Sequence, residues 1–205
     1  MKTFLLSLFI VVTLLFTTNN ASKAACPPGW FPMSTNITYN GCVITVNFCY
    51  FVSPMGMNKV ILDSFTIPAT GCPNGFAITD PSFWNFVNDE IIWYLKPILN
   101  IPDCEDNVRV VITVERSACW KYVKTGGGFV PVVYSIVQCE ETGTCEVRNE
   151  ICYDQNYPPN YIRNNKTYSS TGGESTCETG SFWQSYPNSN PWDLPIFDIC
   201  FHTCN

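Results

Sequence analysis

Asn36-Ile37-Thr38-Tyr39-Asn40-Gly41-Cys42-Val43-Ile44-Thr45-Val46-Asn47-Phe48-Cys49-Tyr50 is the stretch that decides the fold. Two β-branched, alternating runs flank Asn40-Gly41. That dipeptide accepts positive φ at both centres of a two-residue type I′ turn, so the stretch predicts a β-hairpin. Alternation sets Cys42, Ile44, Val46, Phe48 and Tyr50 on one face and Val43, Thr45, Asn47 and Cys49 on the other. Cys42 and Cys49 therefore point to opposite sides of one strand and cannot bridge each other.

Outward from the hairpin, Ser53-Pro54-Met55-Gly56 ends the second strand, and Val60 to Ile67 reads as a third. One helix is expected over residues 81–95. Asp80 is its N-cap and Pro81 fills N1, where a missing N–H costs nothing. Phe83, Phe86, Val87, Ile91, Tyr94 and Leu95 recur at helical spacing, Trp84 and Trp93 flank that face, and Pro97 stops the run. On this reading Glu90 points to solvent. Val108 to Val123 alternates as a strand, with Val108, Val110, Ile112 and Val114 on one side. Thr125-Gly126-Gly127-Gly128 reverses the chain into Phe129 to Cys139, and Glu140 to Thr144 turns it again into Cys145 to Tyr153. Short Gly-bearing loops make such strands antiparallel neighbours. Pro131 marks a strand start, a bulge or an edge. The expected class is α+β: a mostly antiparallel sheet of about six strands, one amphipathic helix on it, and an irregular C-terminal layer.

The N-terminus reads as a cleavable signal peptide over residues 1–25. Lys2 precedes an apolar run from Phe4 to Phe16, and Ala21-Ser22-Lys23-Ala24-Ala25 supplies small residues for cleavage. As a helix the apolar run spans about 20 Å, short of a bilayer core of about 30 Å. Lys23, three before Cys26, stands where a lipobox wants an aliphatic residue, which disfavours acylation of Cys26. Residues 26–205 then form one secreted domain, with no later stretch of spanning length. Loss of Lys2 and Lys23 takes the formal charge from −6 to −8, and no basic cluster remains. Nucleic acid and anionic membranes are unsuited partners for such a chain.

Twelve cysteines in an oxidising compartment imply six disulfides among Cys26, Cys42, Cys49, Cys72, Cys104, Cys119, Cys139, Cys145, Cys152, Cys177, Cys200 and Cys204. No pair has CxxC spacing, and the connectivity is not readable from spacing. Residues 155–195 are rich in Asn, Tyr, Pro, Ser and Gly with little periodicity, a composition usual in disordered chain, and residues 155–205 read as an irregular layer. Nine cysteines precede residue 155 and three follow it, so at least one bridge crosses that boundary and ties the C-terminal layer to the sheet.

Chemistry is sparse. The single histidine, His202, lies within Cys200-Phe201-His202-Thr203-Cys204 and reads as a surface residue beside a disulfide; no GxSxG elbow accompanies it. One histidine also excludes the usual His-containing zinc sites, and no metal or cofactor is expected. Gly126-Gly127-Gly128 lacks the Lys-Ser/Thr of a P-loop and is a turn. Asp103, Glu105, Asp106 and Asn107 are the densest oxygen cluster, without EF-hand spacing. Asn36-Ile37-Thr38 and Asn165-Lys166-Thr167 match the glycosylation sequon, which matters in a eukaryotic host alone. Tyr157, Tyr161, Tyr168, Phe182, Trp183, Tyr186 and Trp192 stand among Asn, Ser and Gln, a mixture that suits sugar faces or flat protein surfaces. Trp183, Trp192 and Tyr186 are the candidate binding residues.

The sequence therefore points to a non-enzymatic extracellular protein, a surface, adhesion or assembly component. Its expected partner is an extracellular protein, a glycan surface or another copy of itself. A carbohydrate-binding module built on the C-terminal aromatics is the alternative. A carboxylate-based hydrolase, and a toxin or inhibitor, stand behind it.

Overall fold

A computed structural model of the chain describes residues 26–53, 57–67, 72, 76–127, 130–139, 143–156, 162–171, 177, 185–186 and 200–204. Residues 1–25, expected to be a signal peptide, fall outside these, as do Trp183 and Trp192. The hairpin forms as its turn chemistry dictates. β1 (Phe31–Tyr39) and β2 (Cys42–Val52) pair antiparallel from Tyr39↔Cys42 outward. Asn40 and Gly41 sit at φ 51° and 80°, the positive values that a type I′ turn needs. Ile44, Val46, Phe48 and Tyr50 all face the core.

β3 (Met57–Ile67) lies antiparallel to β2, followed by the short β4 (Phe76–Ala77) and then α1 (Pro81–Leu95). Asp80 caps α1 by accepting from the Ser82 N–H at 2.8 Å, and Pro81 occupies the first turn. Because the chain returns through a helix, β5 (Val110–Ser117) enters alongside β3 in parallel, Met57↔Val111 through Ile61↔Glu115. β6 (Cys119–Gly127) and β7 (Val130–Gln138) form the second long hairpin, with Pro131 at the second position of β7. β8 (Thr144–Tyr153) pairs with β5 on one side and β9 (Ile162–Thr171) on the other. β11 (Phe201–His202) pairs with β6, while β10 (Ser185–Tyr186) joins β4 in a separate two-stranded sheet.

Among the described residues the main sheet is thus mixed and has nine strands, where the sequence suggested about six and mostly antiparallel. It forks along β3. Residues 57–61 pair with β5, residues 64–67 pair with β7, and the two wings continue as β5-β8-β9 and β7-β6-β11. Two expectations fail at this fork. Val108 to Val123 is not one strand: it breaks at buried Ala118, whose N–H donates to the Gly143 carbonyl at 2.7 Å. Nor are β7 and β8 neighbours despite the few residues between them, since each pairs instead with a different half of the broken strand. Val108 lies outside β5 and is exposed.

α1 lies over the sheet, burying Phe83, Trp84, Val87, Asn88, Ile91, Ile92 and Leu95. The buried stripe is rotated from the expected one. Trp84, Asn88 and Ile92 are inside, Phe86 is half-buried, and Tyr94 is exposed. An aromatic cluster fills the space beneath, with Phe65, Phe83, Trp84 and Trp120 meeting at centroid separations of 5.2–5.8 Å. Such contacts add to the burial of large apolar area.

All twelve cysteines pair: Cys26–Cys49, Cys42–Cys72, Cys104–Cys152, Cys119–Cys177, Cys139–Cys200 and Cys145–Cys204. Cys42 and Cys49 go to separate partners, as opposite faces require. The three C-terminal cysteines all cross residue 155 and fasten the C-terminus to β6 and the β7–β8 corner. The layer they fasten is not wholly irregular, for β9 within it is a full ten-residue strand. Six bridges predict that the non-reduced mature protein weighs about 12 Da less than the reduced one, two hydrogens per bond. Thiol labelling of the denatured, unreduced chain is expected to find none, and two or more reactive thiols would contradict the pairing.

Candidate functional site

The inner face of the β5-β8-β9 wing is unusual in what it places under α1. Rows of opposed residues read Val114–Val147–Tyr168, Ile112–Asn149–Lys166 and Val110–Ile151–Asn164. The apolar character runs out at β9, where the helix and the strand meet through polar groups. Asn88 and Asn149, both buried, exchange amide hydrogen bonds at 2.9 and 3.0 Å. Asn149 also donates to the carbonyls of Ile112 and Val147, and Asn164 donates to Asn149 Oδ1 at 2.8 Å. Buried amides must be satisfied in this way, because an unpaired one costs about 1–3 kcal/mol. Lys166 reaches Asp89 at 2.7 Å, and the Tyr168 hydroxyl donates to Asn85 Oδ1 at 2.7 Å.

Beside this seam a groove of about 440 Å³ opens between α1 and β9, lined by Asp89, Glu90, Ile92, Trp93, Ile162, Asn164 and Lys166. Glu90, expected in solvent, is half-buried in its wall. Trp93 is 44% exposed. Lys96 lies 4.4 Å over its ring and 5.5 Å from the ring of Tyr153, a cation held by two aromatic faces. Past Tyr153 a second groove of about 490 Å³ is lined by Asp103, Cys104, Glu105, Tyr153, Asp154, Gln155, Asn156 and Arg163. Asp103 and Glu105, from the oxygen cluster noted above, are exposed here at the start of a 3₁₀ turn. The Asp154 carboxylate accepts from Arg163 and from the Asn156 N–H.

One buried charge stands apart from both grooves. Arg116, on the inner face of β5, is 6% exposed and donates to the Thr203 carbonyl at 2.9 Å. Its guanidinium lies 4.6 Å over the Trp84 ring, and its Nε has no partner. No carboxylate pairs with it among the described residues. Burial pulls its pKa down to about 10, with the charge of Tyr168 acting in the opposite direction.

The sequence-derived binding residues fare differently. Trp183 and Trp192 lie outside the described residues, and Tyr186 is placed by its backbone alone, opposite Phe76 in the β10–β4 pair. Tyr168 is exposed at the helix–strand junction. His202 sits in β11 opposite Cys119. Residues that the sequence reading missed, Asp89, Trp93, Asn164 and Lys166, converge instead on the α1–β9 groove. Their signals were a polar Asn88 inside an apolar helix face and the period-two run Asn164, Lys166, Tyr168. Six disulfides are consistent with a disulfide-stabilised extracellular protein. Among the described residues no helix is long and apolar enough to cross a membrane. Comparison of the chain with protein-family models, with curated proteins and with solved structures found no match.

Proposed function

We propose that the chain is exported through its N-terminal signal segment and serves as a non-catalytic assembly component outside the cell, joining copies of itself along β9. The observation that carries this reading is β9 itself. It is ten residues long and, among the described residues, hydrogen-bonded to β8 alone. Such an edge offers a row of main-chain donors and acceptors to an incoming strand. Proteins commonly protect edges with charge or proline. Here the two charges, Arg163 and Lys166, are both in the first half and both neutralised, by Asp154 and Asp89. The second half, Thr167-Tyr168-Ser169-Ser170-Thr171, is exposed and carries neither charge, proline nor glycine. Disulfides at Cys104–Cys152 and Cys145–Cys204 brace both ends of β8 behind it, so the edge is presented on a rigid support.

Sedimentation velocity of the mature chain over a wide concentration range tests the reading. Concentration-dependent association is expected, and Ser169→Lys with Thr171→Lys should abolish it while leaving the melting temperature within about 2 °C, the scale of a surface change. Like charges would then face each other across the seam. A wild type that stays monomeric throughout, or a doubly substituted chain that associates equally well, sinks the β9 route.

A further inference from the structure

We propose that the α1–β9 groove is a binding site for a neutral oligosaccharide, with Trp93 as its stacking wall and Asp89, Asn164 and Lys166 as its hydroxyl-recognising groups. The inference is independent of edge pairing, because the groove opens on the helix side of β9 and uses side chains alone.

The groove's volume of about 440 Å³ lies within the roughly 300–1,000 Å³ typical of small-ligand sites. Its lining combines an indole with carboxylate, amide and ammonium groups. A pyranose presents the complementary pair of surfaces: an axial C–H face that lies on an aromatic ring, and an equatorial rim of hydroxyls that both donate and accept. Trp93 is exposed on the helix wall, and Lys96, which covers one face of the indole, is not among the groove-lining residues. The polar groups are pre-positioned rather than free to swing. Asp89 is fixed by Lys166 at 2.7 Å and by the Asn88 amide at 3.3 Å, and Asn164 by Asn149 at 2.8 Å.

Two further features identify the ligand class. Asn164 lines the groove, and its buried Oδ1 has no hydrogen-bond partner among the described residues. Native structures rarely leave such an atom unpaired, and a ligand O–H would satisfy it. The groove's lining sets Asp89 and Glu90 against Lys166, which is already paired with Asp89, so it offers no free cation to hold an anionic ligand. A neutral polyol fits, and a sugar is the polyol that also uses the indole.

The test is a titration of the mature, disulfide-intact protein with hexasaccharides of β-1,4-glucose, β-1,3-glucose and N-acetylglucosamine, read by saturation-transfer NMR and by tryptophan fluorescence. Saturable binding of at least one is expected, with saturation transfer to the sugar ring protons. Trp93→Ala should weaken it at least tenfold and Asn164→Leu should weaken it severalfold, while Trp30→Ala, on the β1–β2 side beside Phe51, should leave it unchanged. Trp93 is exposed enough for its variant to fold, which the melting temperature and an intact mass about 12 Da below that of its own reduced form would confirm. Binding that survives Trp93→Ala at wild-type strength overturns the proposal, as does a wild type that binds none of the three.

Discussion

Trp84→Ala is expected to destabilise the protein by about 4–5 kcal/mol, the upper end of what emptying a buried aromatic site costs. Three losses coincide at this residue. The indole fills the centre of the Phe65, Phe83 and Trp120 cluster, so its removal leaves a cavity bounded by three rings that cannot all move inward. Its Nε1–H donates to the Ile78 carbonyl, which becomes an unsatisfied buried acceptor. Its face covers the Arg116 guanidinium, which would then look into the cavity. Phe86→Ala, two residues on, is expected to cost only about 1–2 kcal/mol, because that ring is half-buried and leans on Tyr39 at the margin. Urea unfolding of the two variants compares them directly. Equal costs would mean that the buried stripe of α1 is centred on Phe86, as its hydrophobic pattern alone suggests, and not on Trp84.

That pair of substitutions shows where the sequence was legible and where it was not. The caps of α1 could be read from Asp80, Pro81 and Pro97 because they act through the local backbone, and the Asn40-Gly41 turn could be read for the same reason. The rotation of the stripe could not. Asn88 looks like an exposed residue until Asn149, sixty-one positions away, is known to lie beneath it as its amide partner. The fork at β3 is a choice between two partners for one strand edge, and nothing in residues 57–67 marks where β5 gives way to β7. Alternation failed to reveal β9 because an edge strand wetted on most of both faces has no apolar period to show. The α1–β9 groove inherits both failures: one wall is the mis-rotated helix and the other the unseen strand. Parity did better than periodicity in the C-terminal region, since an odd number of cysteines on each side of residue 155 required a crossing bridge whatever the local conformation.

Arg116 gives a second large effect, and its sign depends on what replaces the side chain. Arg116→Ala should cost about 2–4 kcal/mol, since the aliphatic stem and the guanidinium plane fill space against Trp84 that alanine leaves empty. Arg116→Met should come out within about 1 kcal/mol of the wild type or above it. Methionine restores the volume and removes a buried charge that no carboxylate among the described residues compensates, and that exchange is often neutral or favourable. Against it stand the loss of the bond to the Thr203 carbonyl and of the cation–π contact, each about 1 kcal/mol. The pH dependence separates charge from packing. The folded pKa of about 10 lies well below the unfolded value. Between those values the unfolded chain holds a proton that the native one has released, so this residue's contribution to stability rises with pH across the window. Below about pH 10 both states hold the proton and the folded state carries the whole cost, on the order of 3 kcal/mol. The advantage of Arg116→Met over wild type, measured by urea unfolding, should therefore be flat from pH 6 to 9 and shrink by pH 10.5, while the deficit of Arg116→Ala widens over the same step. Comparing each variant with the wild type at the same pH, all in a Tyr168→Phe background, cancels the remaining tyrosine ionisations, because Tyr168 is the tyrosine that acts on Arg116. A methionine variant as unstable as the alanine one, at every pH, would show that the guanidinium is compensated after all and that its bond to the C-terminal backbone, not its volume, holds the two layers together.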